Sequence, residues 1–165
     1  MRSCSTRQGV LAAGAALGIL SLLAAGAVHA ADAEVIDLTQ TGCQFVESEN
    51  GVDHGFETTR KADCEAINAK TGSERLASAK VLELEPGEYV FRVTNQNVPY
   101  ELGFWLRDAD YQLGNPVHKL TKISVSGGGL GTGQTKDYAV ELAPGDYLYS
   151  CPLNPTPDYR LIVKG

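Results

Sequence analysis

The sequence predicts an all-β sandwich or barrel interrupted once by a polar, partly helical excursion, and three observations carry that expectation. From Lys80 onward, "KVLELEPGEYVFRVTN", "YELGFWL", "HKLTKISV", "TKDYAVELAPGDYLYSC" and "YRLIVKG" alternate or run apolar, with Pro-Gly, Asn and Gly clusters between them. Within this half "LEPGEYVF" (Leu84 to Phe91) is echoed by "LAPGDYLY" (Leu142 to Tyr149), and each copy reads as a Pro-Gly turn joining two strands. By contrast, residues 47–79 are polar and lack strand alternation.

Taken in order, the first thirty residues stand apart. Arg2 and Arg7 precede an apolar, small-residue run from Val10 to Val28 that closes in Val28-His29-Ala30, with no acid in the segment. This is the pattern of a secretory signal peptide cleaved after Ala30. Cys4 lies before the apolar run, whereas an acylated cysteine would follow it, so no lipid anchor is expected. Removing 30 of the 165 residues leaves 135, one domain's worth. With Arg2 and Arg7 gone, 12 basic residues face 20 acidic ones, a formal charge of −8. Such a surface argues against nucleic acid or anionic membrane as a partner. Export to the periplasm or medium puts Cys43, Cys64 and Cys151 in an oxidising compartment, and three cysteines leave all three pairings open.

"EVIDL" (Glu34 to Leu38) reads as a strand and "GCQFV" as a second short extended piece beginning near Cys43. In the excursion a helix is expected from about Arg60 to Lys70, with Thr58 or Thr59 as its cap and Gly72 as its stop. "SGGGLGTGQ" (Ser126 to Gln134) lacks the Gly-Lys-Ser/Thr ending of a phosphate loop and precedes a strand, so it reads as a sandwich loop. Tyr89 with Phe91, and Tyr147 with Tyr149, fall at every second position and share a strand face. Cys151 continues the second series, so its side chain should face the core at the strand's end.

An exported sandwich with "PGEYVFRVTNQNVPYELGF" in its middle and "PGDYLYSCP" near its end resembles a cupredoxin, and the resemblance implies a cupredoxin-like Greek-key β-sandwich. It covers residues 80–165 well and 33–46 loosely, but not 47–79. In that family Pro-His follows the middle strand, and the last loop supplies Cys, His and Met to a type 1 copper. Position by position, the first histidine falls on Tyr100, the cysteine on Cys151, the second histidine on Asn154 and the methionine on Tyr159. A type 1 centre needs two imidazoles and a thiolate, so electron transfer through one is not expected.

The chain is more similar to the cupredoxin-like domain of periplasmic iron-uptake proteins, which also lacks the histidines. Cys43-Gln44, Glu101, and Cys151 ahead of Leu161-Ile162-Val163 carry that likeness. It implies a metal site made of Cys43, Glu101 and Cys151. Three further residues are weaker candidates. His54 stands near Glu47, Glu49 and Asp53, and Tyr100 and Tyr159 would suit ferric iron as phenolates.

No Ser-His-Asp set or Cys-His pair is evident, so an enzyme is not expected. The expected function is an exported periplasmic protein that binds or passes on a transition metal, copper or iron, through a site unlike type 1. The alternative is a metal-free, disulfide-held sandwich that binds a periplasmic or membrane protein through the "SGGGLGTGQ" and "NPTPDY" loops.

Overall fold

The computed structural model describes residues 33–165, so the expected signal peptide lies outside the described residues. In order, the elements are β1 (Glu34–Thr41), β2 (Gln44–Phe45), a 3-10 turn (Glu47–Glu49), α1 (Lys61–Ser78), β3 (Leu82–Leu84), β4 (Gly87–Asn95), β5 (Leu102–Asp108), α2 (His118–Thr121), β6 (Ser124–Leu130), β7 (Thr135–Leu142), β8 (Gly145–Ser150) and β9 (Tyr159–Val163). One sheet runs β2, β1, β4, β7 and the other β3, β9, β8, β5, β6. β1 pairs parallel with β4, and β3 parallel with β9. The remaining pairs are antiparallel, with the chain passing repeatedly from one sheet to the other, as in a Greek-key sandwich.

The period-2 reading of the two aromatic strands holds. Tyr89, Phe91 and Val93 of β4 and Tyr147 and Tyr149 of β8 are buried between the sheets with Leu102, Phe104 and Leu106 of β5. Phe104 is the hub: its ring stacks on Phe91 at 5.4 Å and meets Phe45 edge-on at 6.1 Å. Cys151 follows β8 and continues its inward series, 1% exposed.

Four local expectations are corrected. α1 runs to Ser78, through Gly72, because one internal glycine costs only about 1 kcal/mol, less than the tertiary anchors at Cys64, Asn68 and Arg75 supply. Its start is fixed by Asp63, whose carboxylate accepts the backbone N–H groups of Thr59 (2.8 Å) and Arg60 (3.1 Å), not by a Thr58 or Thr59 side chain. Ser126 to Leu130 belong to β6. The glycines there permit close approach: a Cβ on Gly127 would sit 3.0 Å from the Tyr138 ring. In "HKLTKISV" the first four residues form α2 and only the end joins β6.

α1 has no apolar face to bury. Its fully buried residues are Cys64 and Arg75, so it is held by a covalent link and polar contacts where most surface helices use a hydrophobic stripe. The 3-10 turn adds another tie, a 2.8 Å hydrogen bond between the buried hydroxyls of Ser48 and Tyr149. Tyr149→Phe leaves Ser48 unpartnered and should cost about 1–3 kcal/mol, measured by urea unfolding.

Candidate functional site

The site lies at the sandwich end where β1, β5 and the loop after β8 converge, and a defect in β5 makes it. The pairing of β5 with β6 shifts register between Leu102 and Phe104, which frees both backbone groups of Gly103 from the ladder. The Gly103 N–H donates to Cys151 Sγ at 3.4 Å, and its carbonyl accepts from Gln40 Nε2 at 2.7 Å. Only glycine fits, since a Cβ would stand 2.5 Å from the Gly127 carbonyl oxygen.

Cys151 is the one free cysteine among the described residues. Its sulfur also accepts the Asn154 N–H at 3.2 Å. Burial pushes the thiol pKa up, while the backbone donors of Gly103, Asn154 and Leu153 and the side chain of Gln40 pull against that rise. At neutral pH the group is a thiol surrounded by donors ready to receive a thiolate. Gln40 is fully buried, and its Oε1 is the buried side-chain polar atom without a hydrogen-bond partner among the described residues. An amide that lies against the sulfur therefore has a carbonyl oxygen to spare.

Asn154, fully buried, organises the rest. Its Oδ1 accepts from Cys43 N–H (3.1 Å) and from the Tyr100 hydroxyl (3.0 Å), and its Nδ2 donates to the Thr41 carbonyl (2.9 Å). The same Oδ1 touches Cys64 Sγ at 3.0 Å, a contact and not a donated bond, since a bridged sulfur carries no proton. Cys64 is bonded to Cys43. Cys43 itself takes a left-handed φ of 62°, which costs about 1–3 kcal/mol in a residue other than glycine.

The sequence-derived ligand set is not brought together. Cys43 is committed to the bridge with Cys64, so it offers no thiolate. Glu101 is exposed and accepts the Gly129 N–H at 2.8 Å. Cys151 is left as a free, buried thiol. His54 stands elsewhere, with Nε2 2.6 Å from Glu49 Oε2 and its ring stacked on Phe56 at 5.4 Å. Tyr159 hydrogen-bonds Glu49, and burial pushes both its hydroxyl and that of Tyr100 up, away from phenolate. Among the described residues no group of three or more His, Cys, Asp or Glu side chains could hold a metal ion.

A second polar centre, which the sequence reading missed, pins the excursion to the sandwich. Glu49 is 5% exposed, and its carboxylate receives Arg75 Nε and Nη2 (2.6 Å for the latter), the Tyr159 hydroxyl and His54. Burial would raise the Glu49 pKa, but hydrogen bonds from Arg75, Tyr159 and His54 and the Arg75 charge outweigh it and hold the carboxyl below its ordinary value. Arg75 also donates to the Cys43 carbonyl (2.9 Å) and to Asn68 Oδ1 (2.9 Å).

The chain is thus a two-sheet Greek-key β-sandwich, and the positions that the sequence resemblance aligns with the four type 1 ligands hold Tyr100, Cys151, Asn154 and Tyr159. This donor set does not fit a type 1 copper, because two of the replacements are locked to the excursion's Glu49 and disulfide and all three lack imidazole or thioether. No protein-family model matches the chain, and no curated protein matches it. Among solved structures it is similar to auracyanin B, at 13% identity and a TM-score of 0.49, over 81% of this chain and 90% of that one.

Proposed function

We propose that the protein is exported and binds one soft transition-metal ion, copper in its cuprous form, through Cys151, with Gln40 in place of the Cys43 and Glu101 expected from the sequence. The observation that carries this reading is a free buried thiol against the side chain of Gln40, whose carbonyl oxygen has no hydrogen-bond partner. A thiolate selects cuprous copper over harder ions. The raised hydroxyl pKa values of Tyr100 and Tyr159 speak against ferric iron held by phenolates. Export rests on the sequence of residues 1–30, and N-terminal sequencing of the secreted chain should begin at Ala31.

Cuprous titration under anaerobic conditions against a chromogenic chelator tests the site. Wild type should take about one equivalent, and Cys151→Ser should take none while keeping its β-rich circular dichroism. Unchanged stoichiometry in Cys151→Ser sinks the reading. Because the metal must displace the thiol proton, apparent affinity should weaken about tenfold for each pH unit below the Cys151 pKa.

The second reading, a metal-free module that binds a partner protein, draws on different residues from those expected. Most of the "SGGGLGTGQ" stretch is strand. Leu113, Val117 and Leu120, between β5 and β6, are 65%, 58% and 88% exposed. Elemental analysis of protein purified without chelator separates the two: about one copper per chain favours the first, none the second.

A further inference from the structure

We propose that the Cys43–Cys64 bridge governs a second, tighter state of the same metal site, in which reduction frees Cys64 to join Cys151 as a pair of thiolates for a cuprous ion. The inference rests on Cys151 being a metal ligand, as proposed above, but adds a ligand and a switch to it.

The argument is the position of Asn154. Its backbone N–H meets Cys151 Sγ at 3.2 Å and its side-chain oxygen touches Cys64 Sγ at 3.0 Å. The two sulfurs therefore stand at the two ends of one buried asparagine. Every polar atom of that side chain is occupied, so Asn154 is held in place as the common neighbour of both sulfurs. Gln40, whose side chain hydrogen-bonds the Cys151 sulfur, keeps an unpartnered carbonyl oxygen. While the bridge is closed, Cys64 has no lone thiolate to offer and the site has one sulfur. Once the bridge is open, it has two, and two thiolates are a preferred set for cuprous copper.

The bridge is itself buried, with Cys43 and Cys64 0% exposed, so its reduction needs the wall of an adjoining cleft to open. A cleft of about 730 Å³ is lined by Gly42 and Asp63, the residues immediately before each bridged cysteine, and by Thr58, Thr59, Val98 and Pro99. An external dithiol attacks the bridge through a mixed disulfide, gives it two electrons and two protons, and leaves as its own disulfide, with Cys43 and Cys64 as thiols. Binding of the cuprous ion then expels the protons of Cys64 and Cys151. Cys43, whose carbonyl is held by Arg75, stays on its turn.

Two experiments test this. In Cys43→Ala, Cys64 is permanently free, and mild oxidation of the folded protein should join Cys64 to Cys151, read as a Cys64–Cys151 peptide by mass spectrometry. Two free thiols in a folded, oxidised variant would show that the sulfurs cannot approach and would overturn the proposal. Should the variant not fold, the wild-type protein decides. It is reduced with dithiothreitol, desalted anaerobically and titrated with cuprous ion alone, and should bind at least about tenfold tighter than the oxidised protein. Its X-ray absorption should require two sulfur neighbours. Equal affinity in both forms with a single sulfur neighbour overturns this proposal and leaves the Cys151 and Gln40 reading standing. Binding by the reduced form alone supports the switch and removes the oxidised-state site.

Discussion

Reduction of the Cys43–Cys64 bridge is expected to lower stability by about 3 kcal/mol, in the range of about 2–5 kcal/mol seen for small exported domains. The bridge closes a loop over a sequence separation of 21, and the chain-entropy cost of that loop is what reduction restores to the unfolded state. The loss should also be uneven. α1 buries only Cys64 and Arg75 completely, so without the bridge it hangs on Glu49, Asn68 and little else. Hydrogen exchange should show α1 amides opening well before those of β4 and β8. Urea midpoints that coincide with and without reductant would contradict this account.

Glu49→Gln should be as damaging, at about 3–5 kcal/mol, because it keeps the shape of the side chain but leaves the Arg75 guanidinium, 6% exposed, without a counter-charge. The pH dependence gives the sign. The folded carboxyl is held below its ordinary value, so its contribution is fully present above the unfolded pKa of about 4.3 and is lost as pH falls through the folded value. Wild type should therefore lose stability below about pH 4, while Glu49→Gln, already lacking the contribution, should fall less steeply. Thermal melts of the two proteins from neutral pH to pH 3 should converge. A constant gap across that range would mean that the variant's deficit comes from packing and not from the ion pair.

Much of the scaffold was legible in local patterns. The doubled Pro-Gly aromatic segments gave β4 and β8 their inward faces, and the extension of the second series to Cys151 placed that thiol in the core. Gln40 was within reach of the same logic, since it follows inward-facing Leu38 at a spacing of two on β1. Polar character hid it, because an amide in a strand reads as a solvent-facing residue unless its neighbour's face is known. β5 resisted because the bulge at Gly103 breaks its alternation. Glu49, Arg75 and Tyr159 could not be joined from sequence: separations of 26 and 110 residues leave no periodic trace. The length of α1 was missed for a related reason, since its distal end is fixed by the Arg75 to Glu49 contact and not by its own residues.

The stapled excursion also decides how anything could reach Cys151. With α1 tied through Cys64 and Arg75, the helix cannot swing aside as a flap in the oxidised protein. What remains is a shallow cleft of about 350 Å³ beside β5, rimmed by Trp105, Arg107, Pro152 and Asp158 and floored in part by Cys151. Its Arg107 is clamped between the Trp105 ring at 4.0 Å and Asp158 at 2.8 Å. Traffic through such a doorway favours a bare ion or the tip of a single donor side chain over a bulky chelate. Under the proposed metal-binding reading, exchange would be confined to this one direction of approach.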